Sequence, residues 1–583
     1  MIAITGYGII CAIGNNADEV LDSLRQSRTG IGSMQYLKTR HSNLPVGEVK
    51  LSNDEMKALL GIPNDVPFSR TSLMGAIAIR EAIQNADVDL NGKRVALISG
   101  TTVGCMDVSE LFYNEMKSND NLLSLPQHND CGLSTREMAE IVGLEDVELC
   151  TISTACSSAL NSIIVGAEML KNNEVDVVIA GGSEALSRFH LNGFHTLMIL
   201  DSERCRPFDD TRAGLNLGEG AAFVVLQKDA PHAKAYIAGY GNRCDAFHQT
   251  ASSEDGKGAY LAMQDALSMA HLSAADIQYV NAHGTGTPNN DPSESHALLH
   301  VFGDKMPEVS STKSLTGHTT SASGSIESVI CLLSMQHSFT PGNIGWEHQI
   351  EGGITPTLGH MGVNLDHVMC NSFGFGGNDS SIILSKHDDS SVSEQITDIK
   401  VVELARDTVN TKEELVALKE FVSPMVSRRM GKLMKAAILS ACRALKKAGI
   451  ESPDAIIIAT ECGMLEFTQQ FLDEIISNDE EMLKPTLFMQ STHNTLGSAI
   501  AIHCKCHGYN ITYSCGDDSE KWAMRDAVRL LQTGKARSVL VGRFDESTAL
   551  TDSFCKRSGK PICPEIFAEA RVLVSQDDPH ASS

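Results

Sequence analysis

Hydrophobic positions along the chain come in short runs separated by stretches of helical spacing. Val95–Ile98, Val175–Ala180, Ala221–Leu226 and Ile382–Leu384 are mainly apolar runs of strand length. Leu73–Ile83 and Ala159–Leu170 instead carry apolar residues at helical intervals. Strands that are apolar along their length are buried on both faces, so the alternation predicts an α/β architecture with helices on either side of the sheet. The chain opens on such a run: Ile2-Ala3-Ile4-Thr5-Gly6 has no basic segment before it and reads as a first buried strand, not a signal peptide. No apolar run approaches the ~18 residues needed to span a bilayer. A cytoplasmic location is the expectation.

From His387 to Glu394 the pattern turns polar, which predicts a linker over 388–398 between residues 1–387 and 399–583. The two parts are related. Leu73-Met74 with Ala76 has a counterpart in Leu433-Met434 with Ala436, 360 residues later. Ala96-Leu97-Ile98-Ser99 … Gly104 matches Ile456-Ile457-Ile458-Ala459 … Gly463, and Val175–Ile179 … Gly181 matches Ala536–Leu540 … Gly542 at a displacement of 361. A displacement this constant marks an internal repeat. The match runs on from Glu219 … Val224-Val225 to Glu569 … Leu573-Val574, so the second copy covers only the first half of residues 1–387.

Composition narrows the function classes. At 583 residues the chain exceeds one compact core. Its 42% hydrophobic and 21% charged residues are those of an ordinary folded protein. The formal charge of −26 disfavours nucleic acid as a partner, and no basic cluster stands out. Sixteen cysteines are scattered without regular spacing, and Cys504-x-Cys506 has no second pair, so neither a disulfide framework nor a metal site is expected.

Candidate chemistry lies in four segments. Val147–Ile152 followed by Ser153-Thr154-Ala155-Cys156-Ser157-Ser158-Ala159-Leu160 reads as strand, tight turn and helix. A cysteine at a helix start gains from the helix dipole and free N–H groups, which predicts a lowered thiol pKa. A buried core cysteine is the other reading of this segment alone. Two histidine motifs favour chemistry. Tyr279-Val280-Asn281-Ala282-His283-Gly284-Thr285-Gly286-Thr287-Pro288 ends an apolar strand in a Gly/Thr turn, and Lys313-Ser314-Leu315-Thr316-Gly317-His318 precedes a small-residue helix carrying Glu327. The fourth segment is the glycine-rich Asn371-Ser372-Phe373-Gly374-Phe375-Gly376-Gly377.

In that order these motifs resemble the β-ketoacyl synthases of the thiolase superfamily. The resemblance spans about residues 1–387 and includes Gly181-Gly182-Ser183-Glu184 and Arg206-Pro207-Phe208-Asp209. It implies a five-layered αβαβα fold in two halves, about 1–235 and 236–387, with a second truncated half at 399–583. It also implies a 3-oxoacyl-carrier-protein synthase in fatty acid, aryl polyene or polyketide biosynthesis. Cys156 would hold an acyl group as a thioester, while His283 and His318 assist decarboxylation of a malonyl thioester. Lys313 and Glu327 would tune the histidine site. The backbone N–H groups of Cys156 and Phe375 would form an oxyanion hole in a gating loop with Phe373 and Gly376. Thr285 and Thr287 would contact the pantetheine arm. No cofactor is implied beyond the phosphopantetheine that arrives on the carrier protein, and no metal.

Cys-His-His favours decarboxylating condensation, which makes His318 the discriminating residue. The family commonly has Thr-Asn after these glycines, where this chain has Asn378-Asp379. That leaves the polar contacts beyond the loop open. A displacement of 361 sets Asp517 against Cys156 and Cys515 against Thr154, so the second copy lacks the nucleophile and Cys515 reads as core. Through Pro424-Met425 … Arg428-Arg429-Met430 and Ser491-Thr492-His493-Asn494 it resembles half-ketosynthase domains of bacterial aryl-polyene clusters, with a structural or partner-binding role expected. The family habit of pairing two first-half domains makes a homodimer the default. Acyl carrier protein is the expected partner, and Arg206 and Arg212 would either dock it or pair internally with Asp209 and Asp210. A silent chain-length factor or scaffold is the competing reading, against which Cys156 and both histidines argue.

Overall fold

The computed structural model of the chain describes residues 1–119, 130–228, 230–388, 399–559 and 564–578. Apart from Asp388, the expected linker lies outside the described residues. In chain order the strands are β1 (Ile2–Cys11), β2 (Val95–Gly100), β3 (Glu148–Ile152), β4 (Val177–Glu184), β5 (Gly220–Lys228), β6 (Ala235–Cys244), β7 (Tyr279–Asn281) and β8 (Glu308–Ser310). They continue with β9 (Phe339–Thr340), β10 (His360–Met361), β11 (His367–Gly374), β12 (Asn378–Ser385), β13 (Val401–Val409), β14 (Ala455–Ala459), β15 (Tyr509–Tyr513), β16 (Ser538–Glu546) and β17 (Ile566–Ser575). The short β9 and β10 pair with each other. The rest join in one sheet, in the order β13-β17-β16-β14-β15-β3-β2-β4-β5-β1-β6-β12-β11-β7-β8.

That order is one five-strand unit used three times. In β3-β2-β4-β5-β1 the first three strands run parallel, and β5 and β1 are each antiparallel to their neighbour. The units β8-β7-β11-β12-β6 and β15-β14-β16-β17-β13 repeat the pattern. The parallel strands β2 and β4 are buried throughout, as their unbroken apolar runs predict. Helix Ser158–Lys171 is buried from Ser158 to Leu170, and helix Ser323–His337 from Ser323 to Met335. They pack on each other between the first two units, while Arg70–Ala86 and Lys257–Ala270 cover the outer faces. The result is the layered αβαβα fold of a thiolase-like protein.

The third unit continues the sheet across β3. Ile152 faces Tyr513 in antiparallel register. Ser153 N–H donates to the Thr512 carbonyl at 2.9 Å and Ser514 N–H to the Thr151 carbonyl at 3.0 Å. Thr151 and Thr512 stand 361 residues apart, as do Ser153 and Ser514, so the bonds cross at a local twofold axis between the copies. Polar groups fix this seam: Trp522 Nε1 donates to the Leu149 carbonyl at 3.0 Å. Arg529, only 5% exposed, pairs with Glu174 at 2.8 Å and Asp526 at 2.9 Å. The β3 edge of the first unit is therefore occupied within the chain.

Candidate active site

The chemical motifs lie at or after strand ends, where backbone turns and helix starts leave N–H groups free. Beyond β3 the chain enters helix Ser158–Lys171 through a tight turn in which Ala155 takes a left-handed φ of +51°. That turn thrusts Cys156 towards the second unit. His283 follows β7, His318 precedes the helical segment beginning at Thr320, and Phe375 lies in the turn between β11 and β12. Gly374 is required there, because a Cβ would sit 2.7 Å from the Thr154 carbonyl oxygen and 3.2 Å from the Cys156 nitrogen.

The topology brings three of these side chains together. Cys156 Sγ lies 3.2 Å from His318 Nε2, and one ligating atom each of Cys156, His283 and His318 fall within 4.8 Å of one another. The imidazole rings meet edge to face with centroids 5.3 Å apart. His318 Nδ1 is 3.1 Å from Ser323 Oγ. With Nδ1–H donating to that hydroxyl, Nε2 is free to take the thiol proton. Among the described residues this set alone combines three such groups at spacing that could hold a metal ion.

Burial sets the electrostatics. Desolvation pushes the Cys156 thiol up to about 12, although Lys313 and the N–H groups of Phe375 and Cys156 pull it down. The lowered pKa expected from the helix start is therefore corrected: the resting group is a neutral thiol, because the helix terminus and these N–H groups do not offset full burial. Desolvation, and next the Lys313 charge, hold His283 and His318 well below the usual imidazole range. Lys313 Nζ pairs with Glu327 in full burial, and desolvation raises that carboxyl to about 7.

The neutral imidazoles carry a pH prediction. Below about pH 6.5 the unfolded chain takes up protons that the folded site refuses, so stability falls with pH by up to about 1.4 kcal/mol per unit for each histidine. His190, held near 4 by burial, acts in the same direction. Buried carboxyls raised as Glu327 is act in the opposite sense, so the histidine contribution is read as a difference: from about pH 7 to about pH 5, chemical denaturation is expected to show His318→Phe gaining stability relative to the unsubstituted chain. A slope identical in the two proteins contradicts the assignment.

Thr285 and Thr287 are buried with hydroxyls 2.9 Å apart. Phe373 packs near the His283 ring, with centroids 5.9 Å apart. Arg206 pairs with Asp201 at 3.4 Å and Glu203 at 3.1 Å, and Arg212 donates to the carbonyls of Asp209, Thr287 and Pro288. Neither arginine uses the Asp209 or Asp210 carboxylate that the sequence offered. Asp517, opposite Cys156 in the repeat, is exposed in a single helical turn, and Cys515 is buried against Thr151.

Sequence reasoning missed several groups. Glu294 accepts the backbone N–H groups of His283 and Gly284 at 2.8 and 2.7 Å, fixing that turn from within the next helix. Its signal in the sequence is weak: it follows the polar helix start Asn290-Asp291-Pro292-Ser293, where an acid suits any helix. An aromatic wall leads from the histidines to the third unit. Phe194 lies edge-on to His318 at 6.5 Å, stacks on Phe375 at 5.6 Å and meets Phe488 at 5.5 Å. No pattern announces the wall.

Known proteins resemble the chain along most of its length. Residues 1–232 match the β-ketoacyl synthase N-terminal domain, 234–347 its C-terminal domain, and 404–578 an N-terminal domain of this kind again. The chain is 29% identical over 411 residues to 3-oxoacyl-(acyl-carrier-protein) synthase 2 of Vibrio harveyi, covering 66% of this chain and 98% of the relative. The Staphylococcus aureus (strain COL) protein of that name is 29% identical over 414 residues, with 66% and 98% covered. A ketosynthase solved in complex with its chain length factor from Xenorhabdus doucetiae superposes with a TM-score of 0.57 at 29% identity, over 66% of this chain and 98% of that one. A PfaC keto synthase–chain length factor shares the fold over 99% of this chain and 78% of its own, with a TM-score of 0.79 at 17% identity. The chain belongs to the β-ketoacyl synthase family of the thiolase superfamily, with a second half-ketosynthase-like domain fused behind the first.

Proposed function

We propose that the chain is a 3-oxoacyl-carrier-protein synthase that condenses a malonyl thioester with an acyl group held on Cys156. The observation that carries this reading is the convergence of Cys156, His283 and His318 within 4.8 Å in a buried site. His318 Nε2 takes the thiol proton as sulfur attacks the acyl thioester, and the proton leaves with the carrier thiol. The N–H groups of Cys156 and Phe375, which face the sulfur, hold the oxyanion of each tetrahedral intermediate. His283, and His318 in the tautomer in which Ser323 Oγ–H donates to Nδ1 and Nε2 carries the hydrogen, then donate N–H to the malonyl thioester carbonyl while its carboxylate leaves as carbon dioxide. The carbanion attacks the acyl-cysteine, and the thiolate departs and regains a proton.

The relatives' names and the solved complexes support acyl carrier protein as the partner and fatty acid, aryl polyene or polyketide synthesis as the setting. Residues 399–583 stand in for a second subunit: they complete the sheet at β3 and have Asp517 where a nucleophile would be. Incubation with acyl-carrier protein and malonyl-carrier protein is expected to give a 3-oxoacyl-carrier protein by mass and one carbon dioxide per product. Absence of both with folded enzyme contradicts the reading.

Phe488 makes the second half a determinant of acyl length. Its ring fills the space over Gly193, where a Cβ would collide with it, and closes the wall that starts at His318. Phe488→Ala is expected to cost about 3–5 kcal/mol of stability. It should also raise kcat/KM for long acyl groups relative to short ones, read by competition between acyl-carrier proteins. An unchanged preference places the acyl chain elsewhere.

A further inference from the structure

We propose that Asn494, on the second half, is a positioning residue for the oxyanion loop of the first. This rests on the condensing reaction above and deepens it, because it gives residues 399–583 a part in one specific half-reaction.

Asn494 stands at the N-cap position of helix Thr495–Cys504, its side chain makes no capping bond, and it is 1% exposed. Its Nδ2 donates to the Phe375 carbonyl at 2.8 Å and to Asn378 Oδ1 at 2.9 Å. One amide group of the second half thus holds the gating loop at both sides of its glycines. The fit is close: Gly376 takes a φ of +87°, and a Cβ there would collide with Ser498 Oγ and lie 3.0 Å from Asn494 Nδ2. The departure Asn378-Asp379 gains a meaning here, since Asn378 also donates to the Asn510 carbonyl at 3.1 Å.

The network continues to the nucleophile. Asn510 N–H donates to Asn242 Oδ1 at 3.0 Å, Asn242 Nδ2 to Asn161 Oδ1 at 2.8 Å, and Asn161 Nδ2 to Thr154 Oγ1 at 2.9 Å. Thr154 lies in the turn before Cys156. Both oxyanion donors, the N–H of Phe375 and that of Cys156, are therefore tied through buried amides to the second half. Fixing the Phe375 carbonyl restrains the residue that supplies the N–H, and a shift of about 1 Å in such a donor lowers a rate about 100-fold. The imidazoles do not hang from this chain of bonds. Their anchors are Glu294, which holds the His283 turn, and Ser323 beside His318 Nδ1.

The two half-reactions separate the proposal from a general packing role. Acyl transfer from acyl-carrier protein to Cys156 uses the oxyanion donors together with His318, whereas malonyl decarboxylation uses the imidazoles without those donors. Asn494→Leu and Asn494→Ala in the full chain are expected to slow acyl transfer about 10–100-fold. KM for acyl-carrier protein and the rate of malonyl decarboxylation should stay within about threefold. His493→Ala, whose ring nitrogen lies 3.6 Å from Cys131 Sγ, is expected to leave the ratio of the two rates unchanged. Asn494→Asp keeps the shape and removes the donor, and serves if the other two variants do not fold. An unchanged ratio in folded variants overturns the proposal, as does failure of all three to fold. A wild-type chain inactive in both half-reactions would instead overturn the condensing reading itself.

Discussion

Cys156→Ala is expected to abolish condensation while leaving the fold and malonyl decarboxylation in place. The side chain lost is small and almost fully buried, and its sulfur bonds only His318 among the side chains. Removing it costs about 1 kcal/mol of packing by comparison with larger core truncations. Its chemical cost is larger in kind, because without sulfur no acyl thioester forms and the carbanion has no electrophile. A loss of at least about 10⁴-fold is expected, the scale seen when a covalent nucleophile is deleted. The imidazoles would still face a malonyl thioester, so carbon dioxide release should continue. Release that stops together with condensation would mean that Cys156 also shapes the decarboxylation site.

Deleting the second half after Asp388 is expected to have the next largest effect. The cut would expose the β3 edge with its unpaired N–H and carbonyl groups, and an open strand edge of this kind pairs with other chains. It would also bare Glu174 and Glu168, which now neutralise Arg529 and Lys535. The fragment should associate or precipitate, and any soluble part should transfer acyl groups at least about 100-fold more slowly, because Asn494 and its network leave with the deleted half. A monomeric fragment with full activity would make residues 399–583 an appendage.

Much of this is legible in the chain. The apolar runs give β2, β4, β5 and β12, and the repeat at 361 residues foretells a third unit with the same strand order. The chemistry is legible because Cys156, His283 and His318 sit in short motifs at strand ends, where small residues and glycines must recur for the backbone to turn. The seam is not. Pairing of β3 with β15 depends on two edges meeting across a local twofold axis, and a strand's own pattern does not say which edge stays open. Asn494 and Phe488 are hidden for the same reason, since each acts on residues more than a hundred positions away. The thiol pKa runs against its expectation because a helix start is visible in sequence and depth of burial is not.

The central claim is that sulfur, two imidazoles and two N–H donors act on one acyl group. Intact-mass and peptide mapping after brief exposure to acyl-carrier protein alone tests it most directly. A single added acyl mass on the peptide containing Cys156, removed when malonyl-carrier protein is supplied, is the predicted result. An acyl group on another residue, or an unmodified Cys156 in folded and otherwise active protein, would contradict it.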